Sequence, residues 1–235
     1  MTGASRGIGR AAALAYASAG AHVIAMARTT GGLEELDDDI RAAGGTATLV
    51  PADVTDVEAI ERLGPALLQR WGRLDILLAN AGILGPLTPL THASPKEWSQ
   101  VLDVNLTANW RLLKACEPAL NQSASPRVLF VSSGAAHKCM AYWGPYSVSK
   151  AALEAMARTY AAETQTGLMR VMMVNPGPLR TKMRADAMPG EDPLSLRTPE
   201  DLAPHLVAMA AESWTETGKI FHFPTEQVLT PQMPA

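Results

Sequence analysis

The chain has 235 residues, 47% of them apolar, and a net charge of −3. That length and apolar content suit one α/β domain around a single core, and the scattered basic residues give no electrostatic footprint for nucleic acid. The two cysteines, Cys116 and Cys139, match no zinc spacing and are too few for a disulfide framework, so a reducing cytoplasm is the expected compartment. The apolar stretch over residues 11–27 is interrupted by Ser18, Gly20 and His22. No membrane span is expected, and the polar opening does not read as a signal peptide.

The opening, Met1-Thr2-Gly3-Ala4-Ser5-Arg6-Gly7-Ile8-Gly9, is a glycine-rich turn that feeds an alanine-rich helix. Glycines let a backbone approach a pyrophosphate, and the free amides of a helix N-terminus bind its charge. Residues 22–27 read as a buried strand, 28–32 as a turn, 33–43 as a charged helix and 46–50 as a strand leading to Asp53 and Val54. An acidic residue at the end of the 22–27 strand would accept hydrogen bonds from the 2′-hydroxyl of NAD, which Ala27 cannot do. Arg28 and Arg6 can instead pair with a 2′-phosphate, which favours NADP(H) over NAD(H) unless both are merely solvated. Thr55 and Glu58 have capping-box spacing for a helix to about Trp71. A strand over 75–79 closes on Asn80-Ala81-Gly82, which could be a simple turn.

Ser94-Pro95-Lys96-Glu97 is a second helix start, and the helix should continue to Ala119. It places Asn105 in an apolar stripe, where an unsatisfied amide would cost about 1–3 kcal/mol. Residues 127–131 are a buried strand ending at Ser132-Ser133, the end where open α/β sheets place ligands. Residues 135–144, with His137, Met140, Tyr142 and Trp143, suit the wall of a partly apolar substrate site. Tyr146 and Lys150 follow, four residues apart at the head of a helix running to Thr164, and therefore on one face. An ammonium beside a phenol stabilises its anion and lowers its pKa from about 10, making it a usable proton donor or acceptor. A surface tyrosine and a solvated lysine would have the same spacing. A strand over 170–174 then leads into Asn175-Pro176-Gly177 and Thr181, a polar loop spans 182–197, and a helix from Thr198 to Ala210 precedes a last strand over 219–223.

Taken together, Thr2-Gly3-x-x-x-Gly7-x-Gly9, Asn80-Ala81-Gly82, Asn105, Ser133, Tyr146, Lys150 and Pro176-Gly177 resemble, in order, the motifs of the short-chain dehydrogenase/reductase family. Ser133 and Asn105 also stand at spacings from Tyr146 resembling those of its catalytic tetrad. The resemblance implies a doubly wound, Rossmann-like parallel sheet and hydride transfer between a nicotinamide cofactor and a small carbonyl or alcohol substrate. It assigns catalysis to Asn105, Ser133, Tyr146 and Lys150. Cofactor contacts would come from Gly3, Ser5, Arg6, Gly7, Ile8, Gly9, Arg28, Asp53, Val54, Asn80, Ala81, Gly82, Tyr146, Lys150, Pro176, Gly177 and Thr181. Homodimers or homotetramers built on the Ser94 and Tyr146 helices are expected, with neither membrane nor nucleic acid as partner. A catalytically silent dinucleotide-binding regulator or scaffold is the rival reading. One departure is clear: no strand precedes the glycine turn, although the family's first strand lies mid-sheet. The expectation is an open core there, with Met1 at the end of a strand whose earlier residues belong to an upstream start. The end of the last strand departs too, with Pro224-Thr225-Glu226 in place of acidic and glycine residues.

Overall fold

The computed structural model describes residues 1–231. Helix α1 (Gly7–Ser18) starts inside the glycine turn and leads to β1 (His22–Ala27), α2 (Thr30–Ala42) and β2 (Thr46–Pro51). Next come α3 (Val57–Trp71), β3 (Ile76–Ala79), α4 (Pro95–Leu102), a π-helical turn (Asp103–Thr107), α5 (Ala108–Leu120) and β4 (Arg127–Val131). The chain continues through α6 (Ala135–Lys138), α7 (Gly144–Glu163), β5 (Arg170–Asn175), α8 (Lys182–Ala187), α9 (Pro199–Ala210), β6 (Lys219–His222) and β7 (Gln227–Leu229).

Strands β3, β4, β5 and β6 pair in parallel in that order, and β7 adds an antiparallel edge to β6. Strand β1 pairs in parallel with β2 as a separate two-stranded piece. Helices α1, α2, α3, α5, α7 and α9 cover the sheet with their apolar stripes. On one face Leu33, Leu36 and Ile40 of α2 join Leu202 and Leu206 of α9. On the other, Leu112 and Cys116 of α5 meet Leu153 and Ala157 of α7. Burying a leucine or isoleucine of this kind stabilises the fold by about 1.5–3 kcal/mol.

Between β1 and β3 the sheet is crossed only by the first residues. Thr2 donates its amide to Leu78 (3.1 Å), Met26 donates to the Met1 carbonyl (3.0 Å), and Ala4 donates to Met26 (3.1 Å). The Met1 ammonium donates to Ile24 (2.8 Å). The open core expected from the sequence is thereby reduced to a void of about 20 Å³ lined by Met1, Ile24, Met26, Leu67, Leu112 and Cys116, a space fit for about one water. Apolar side chains from the flanking elements line the seam, and four backbone hydrogen bonds tie its upper end.

Several local readings are corrected by partner choice. Asp56, not Thr55, caps α3, accepting from Ala59 at 3.0 Å, because Thr55 is occupied by Asp53. Helix α2 begins at Thr30 rather than 33, and the polar 182–197 segment contains α8, capped by Thr181. The helix from Pro95 is divided by the π-turn at Asn105. Ser94 and Glu97 do form a reciprocal capping box. The turn at 224–226 returns the chain as β7, a strand with no periodic signal in three residues.

Candidate active site

The glycine turn is shaped by close approach. Gly3 has φ +65°, and a β-carbon on Gly9 would fall 2.1 Å from the Gly3 carbonyl oxygen, so no other residue fits without moving backbone. Asn80 locks this turn: its Nδ2 donates to the carbonyls of Thr2 (3.0 Å) and Gly3 (3.2 Å). The amides of Asn80 and Ala81 in turn donate to Thr2 Oγ1. Among the described residues no side chain caps α1 at Arg6, which leaves amides at Gly7, Ile8 and Gly9 for an anion. Ser5 lines the same turn, half-buried beside Gly32. A side chain on Gly7 would meet Thr181 at 3.5 Å, so the Thr181 loop borders the turn.

We expect Gly9→Ala to push the turn off Gly3 and cost about 1–3 kcal/mol of stability as overpacking does, together with loss of dinucleotide binding. A thermal melt and a fluorescence titration check both, and a Gly9→Ala protein that melts and binds as wild type would refute the cradle.

Arg6 and Arg28 are exposed. Arg28 lies 3.7 Å from Asp53, whose Oδ1 accepts from the Thr55 amide (2.9 Å) and hydroxyl (2.8 Å). Partial burial raises the Asp53 pKa, but the Thr55 hydrogen bonds and Arg28 outweigh it and hold the carboxyl below its usual range. Val54 packs beside the second core cluster. Pro176 is buried, and Gly177 has φ +65° with Pro224 crowded against the place of its missing β-carbon (2.4 Å).

Asn80-Ala81-Gly82 links this turn to a second cluster. A β-carbon on Gly82 would lie 3.3 Å from Asn105 Oδ1 and 3.6 Å from Lys150 Nζ, so the absence of a side chain lets both groups approach. Asn105 is fully buried and exchanges two hydrogen bonds with Ile83: it accepts at 2.8 Å and donates at 2.9 Å. Its Nδ2 also donates to Ser149 Oγ (3.0 Å), which donates to the Tyr146 carbonyl (2.7 Å). The π-turn aims this amide away from the regular ladder, a common device at functional sites. Asn109, which sequence reasoning missed, donates to the freed Asn105 carbonyl at 2.8 Å.

Helix α7 begins at Gly144-Pro145, and proline there costs no helical hydrogen bond. It buries Tyr146 and Lys150 on one face. Lys150, 3% exposed, donates to the Val131 carbonyl at 2.7 Å, and its Nζ is 5.8 Å from the centre of the Tyr146 ring. The sequence predicted a phenol lowered by the ammonium. In this structure burial pushes the Tyr146 phenol up, with Ser133 as hydrogen-bond partner pulling it back, because the ammonium is turned to the strand end. Burial brings Lys150 down to about 8, with Glu154 opposing. Ser133 is half-buried, directly beyond β4. Trp143 meets the Tyr146 ring edge-on at 6.0 Å, and Met140 and Tyr142 are exposed beside it. His137, on the segment expected to line the substrate side, pairs with Glu154. Asn105, Ser133, Tyr146 and Lys150 are thus brought to the carboxyl end of the sheet, beside the glycine turn.

A Rossmann-like sheet with a glycine turn at one helix N-terminus and a buried Tyr-Lys pair at the adjoining strand end defines a dinucleotide-dependent oxidoreductase class. Comparison with known proteins agrees. The sequence profile of the short chain dehydrogenase family matches residues 1–192. Escherichia coli (strain K12) YciK, an uncharacterized oxidoreductase, is 38% identical over 225 residues, covering 94% of this chain and 89% of its own. A short chain dehydrogenase from Salmonella enterica serovar Typhi superposes with a TM-score of 0.91 at 36% identity, covering 94% and 93% of the two chains. One from Shigella flexneri 2a, solved with NADP, gives 0.88 at 36% identity over 95% of each. The chain belongs to the short-chain dehydrogenase/reductase family, a class of NAD(P)-dependent oxidoreductases.

Proposed function

We propose that this protein interconverts a carbonyl and a secondary alcohol on a small, partly apolar substrate with NADP(H) as cofactor. The observation behind this is the meeting of Asn105, Ser133, Tyr146 and Lys150 at one strand end. The residues fit the cofactor: the Gly3/Gly9 cradle with uncapped α1 amides suits a pyrophosphate, Arg28 and Arg6 a 2′-phosphate, and Asp53 and Val54 the adenosine edge. Asn80, Ala81, Gly82, Pro176, Gly177 and Thr181 border the remaining length, with Thr181 the partner for the nicotinamide amide. When bound, NADP(H) supplies or accepts the hydride.

Tyr146 gives a proton to the carbonyl oxygen in reduction and takes the alcohol proton in oxidation. Ser133 donates a hydrogen bond to that oxygen and holds it beside the phenol. Lys150 binds the ribose hydroxyls and offsets the phenolate charge. Asn105 supports the proton path from Lys150 to solvent. Helices α4, α5 and α7, with Trp110 and Val148 exposed, provide the surfaces for a homodimer or homotetramer, and the cytoplasm is the compartment. No helix among the described residues is long and apolar enough to cross a membrane.

Titration of NADPH and NADH fluorescence, followed by a ketone and aldehyde screen, tests this reading. NADPH should bind more tightly, and Arg28→Ala should weaken NADPH about tenfold, the worth of one charged hydrogen bond, while leaving NADH unchanged. Equal loss for both cofactors would remove Arg28 from the 2′-phosphate site.

A further inference from the structure

The Tyr146 face of α7 carries another ionisable group. Glu154 stands one turn beyond Lys150, so it falls on the same face, and it is 4% exposed. A carboxylate is costly to bury unless it is paired and hydrogen-bonded, and both oxygens here have partners. Oε1 accepts from Ser132 Oγ at 2.5 Å, and Oε2 lies 2.8 Å from His137 Nε2.

These partners matter because of where they sit. Ser132 lies between Val131, whose carbonyl receives the Lys150 ammonium, and Ser133. Its amide donates to Val174 at 2.7 Å, so the strand end is held by β5 through the backbone and by α7 through Glu154. His137 is on α6, in the segment joining Ser133 to Tyr146, with its side chain 58% exposed. The three residues form a brace that ties β4, α6 and α7 together behind the reacting groups.

We propose that Glu154 is a positioning residue for this site: through Ser132 it fixes the strand end bearing Ser133, its charge offsets burial of the Lys150 ammonium, and His137 closes it off from solvent. The consequence for turnover rests on the oxidoreductase reading above; the effect on Lys150 does not. Of the ionisable groups on α7, Tyr146 has its ring centre 5.8 Å from the Lys150 ammonium and Glu154 shares its face one turn on, while the Val131 carbonyl that Lys150 meets on β4, and Asn105, which also borders Gly82, are neutral. Glu154 itself meets His137 from α6, next to Lys138, and Arg158 lies one turn further along α7. The opposition of Glu154 to the downward shift of Lys150 agrees with this arrangement.

The test follows the Lys150 Cε signal by carbon-13 NMR in cofactor-free protein, identified by its loss in Lys150→Arg, as pH is raised. The wild-type midpoint should lie near 8, and Glu154→Gln should lower it by about one unit, a modest effect for loss of a nearby opposite charge. Glu154→Asp, keeping the charge but withdrawing it from Ser132, should retain the midpoint. In turnover, Glu154→Gln should move the alkaline limb of kcat/KM for the cofactor, which reports the cofactor-free enzyme, downward by the same amount. Ser132→Ala and Glu154→Asp should lower kcat about tenfold with little change in KM. An unshifted midpoint in folded Glu154→Gln overturns the charge role. Wild-type kcat in both Ser132→Ala and Glu154→Asp overturns the positioning role, a result that serves equally if Glu154→Gln does not fold. A lowered midpoint in a protein with no carbonyl turnover would sink the oxidoreductase reading and leave the charge effect standing.

Discussion

Tyr146→Phe is expected to reduce turnover by about 10³-fold or more, within the range that a positioned general acid or base contributes, while NADPH binding stays within a factor of about two. The substitution removes one oxygen and nothing else. The ring remains buried beside Trp143, and the Tyr146 backbone carbonyl still receives Ser149. Only the phenol's partnership with Ser133 and its proton are lost. Single-turnover reduction, measured beside a fluorescence titration, separates the two effects. Activity near the wild-type rate would mean that another group handles the proton, and the assignment of Ser133 and Lys150 would go with it.

Lys150→Met should harm both steps, with turnover down at least 10²-fold and NADPH binding weakened about tenfold or more, the worth of a lost charge-assisted hydrogen bond. Methionine fills similar volume, but the Val131 carbonyl loses its 2.7 Å donor, and Glu154 remains without the opposing charge. A stability loss of about 1–3 kcal/mol from the unpaired Val131 carbonyl accompanies the kinetic effect. The pH dependence has a definite sign. Burial sets the Lys150 ammonium at about 8, so the charge is present below that pH and lost above it. The wild-type kcat/KM for the cofactor, which reports the free enzyme, should therefore decline as pH rises past about 8. A Lys150→Met protein should lack that limb. Retention of the same limb in the variant would assign it to a different group.

Much of the site was legible because its signals are local. The glycine turn, the apolar runs of β1 and β4, the Ser94-Glu97 capping box and the four-residue Tyr146 to Lys150 spacing each depend on neighbours in the chain, and each appears where the residues predict. Asn105 could be singled out because an amide in an apolar stripe demands partners. Glu154 was missed although it continues the Tyr146-Lys150 face, since a glutamate in a helix more often faces water.

What the sequence by itself determined, then, was the order of the main strands and helices as far as β6, the family to which the motifs point, and the residue types gathered at the sheet's carboxyl end. Tertiary structure alone decided which groups meet there. It turned Lys150 to Val131, gave Thr55 to Asp53 and the α3 cap to Asp56, paired His137 with Glu154, and tied the upper end of the β1 to β3 seam with Met1–Ala4. The reason is physical: helix and strand periods are properties of consecutive residues. Burial and pairing of a charge depend on elements far apart in the chain, whose hydrogen bonds compete for the same few donors and acceptors.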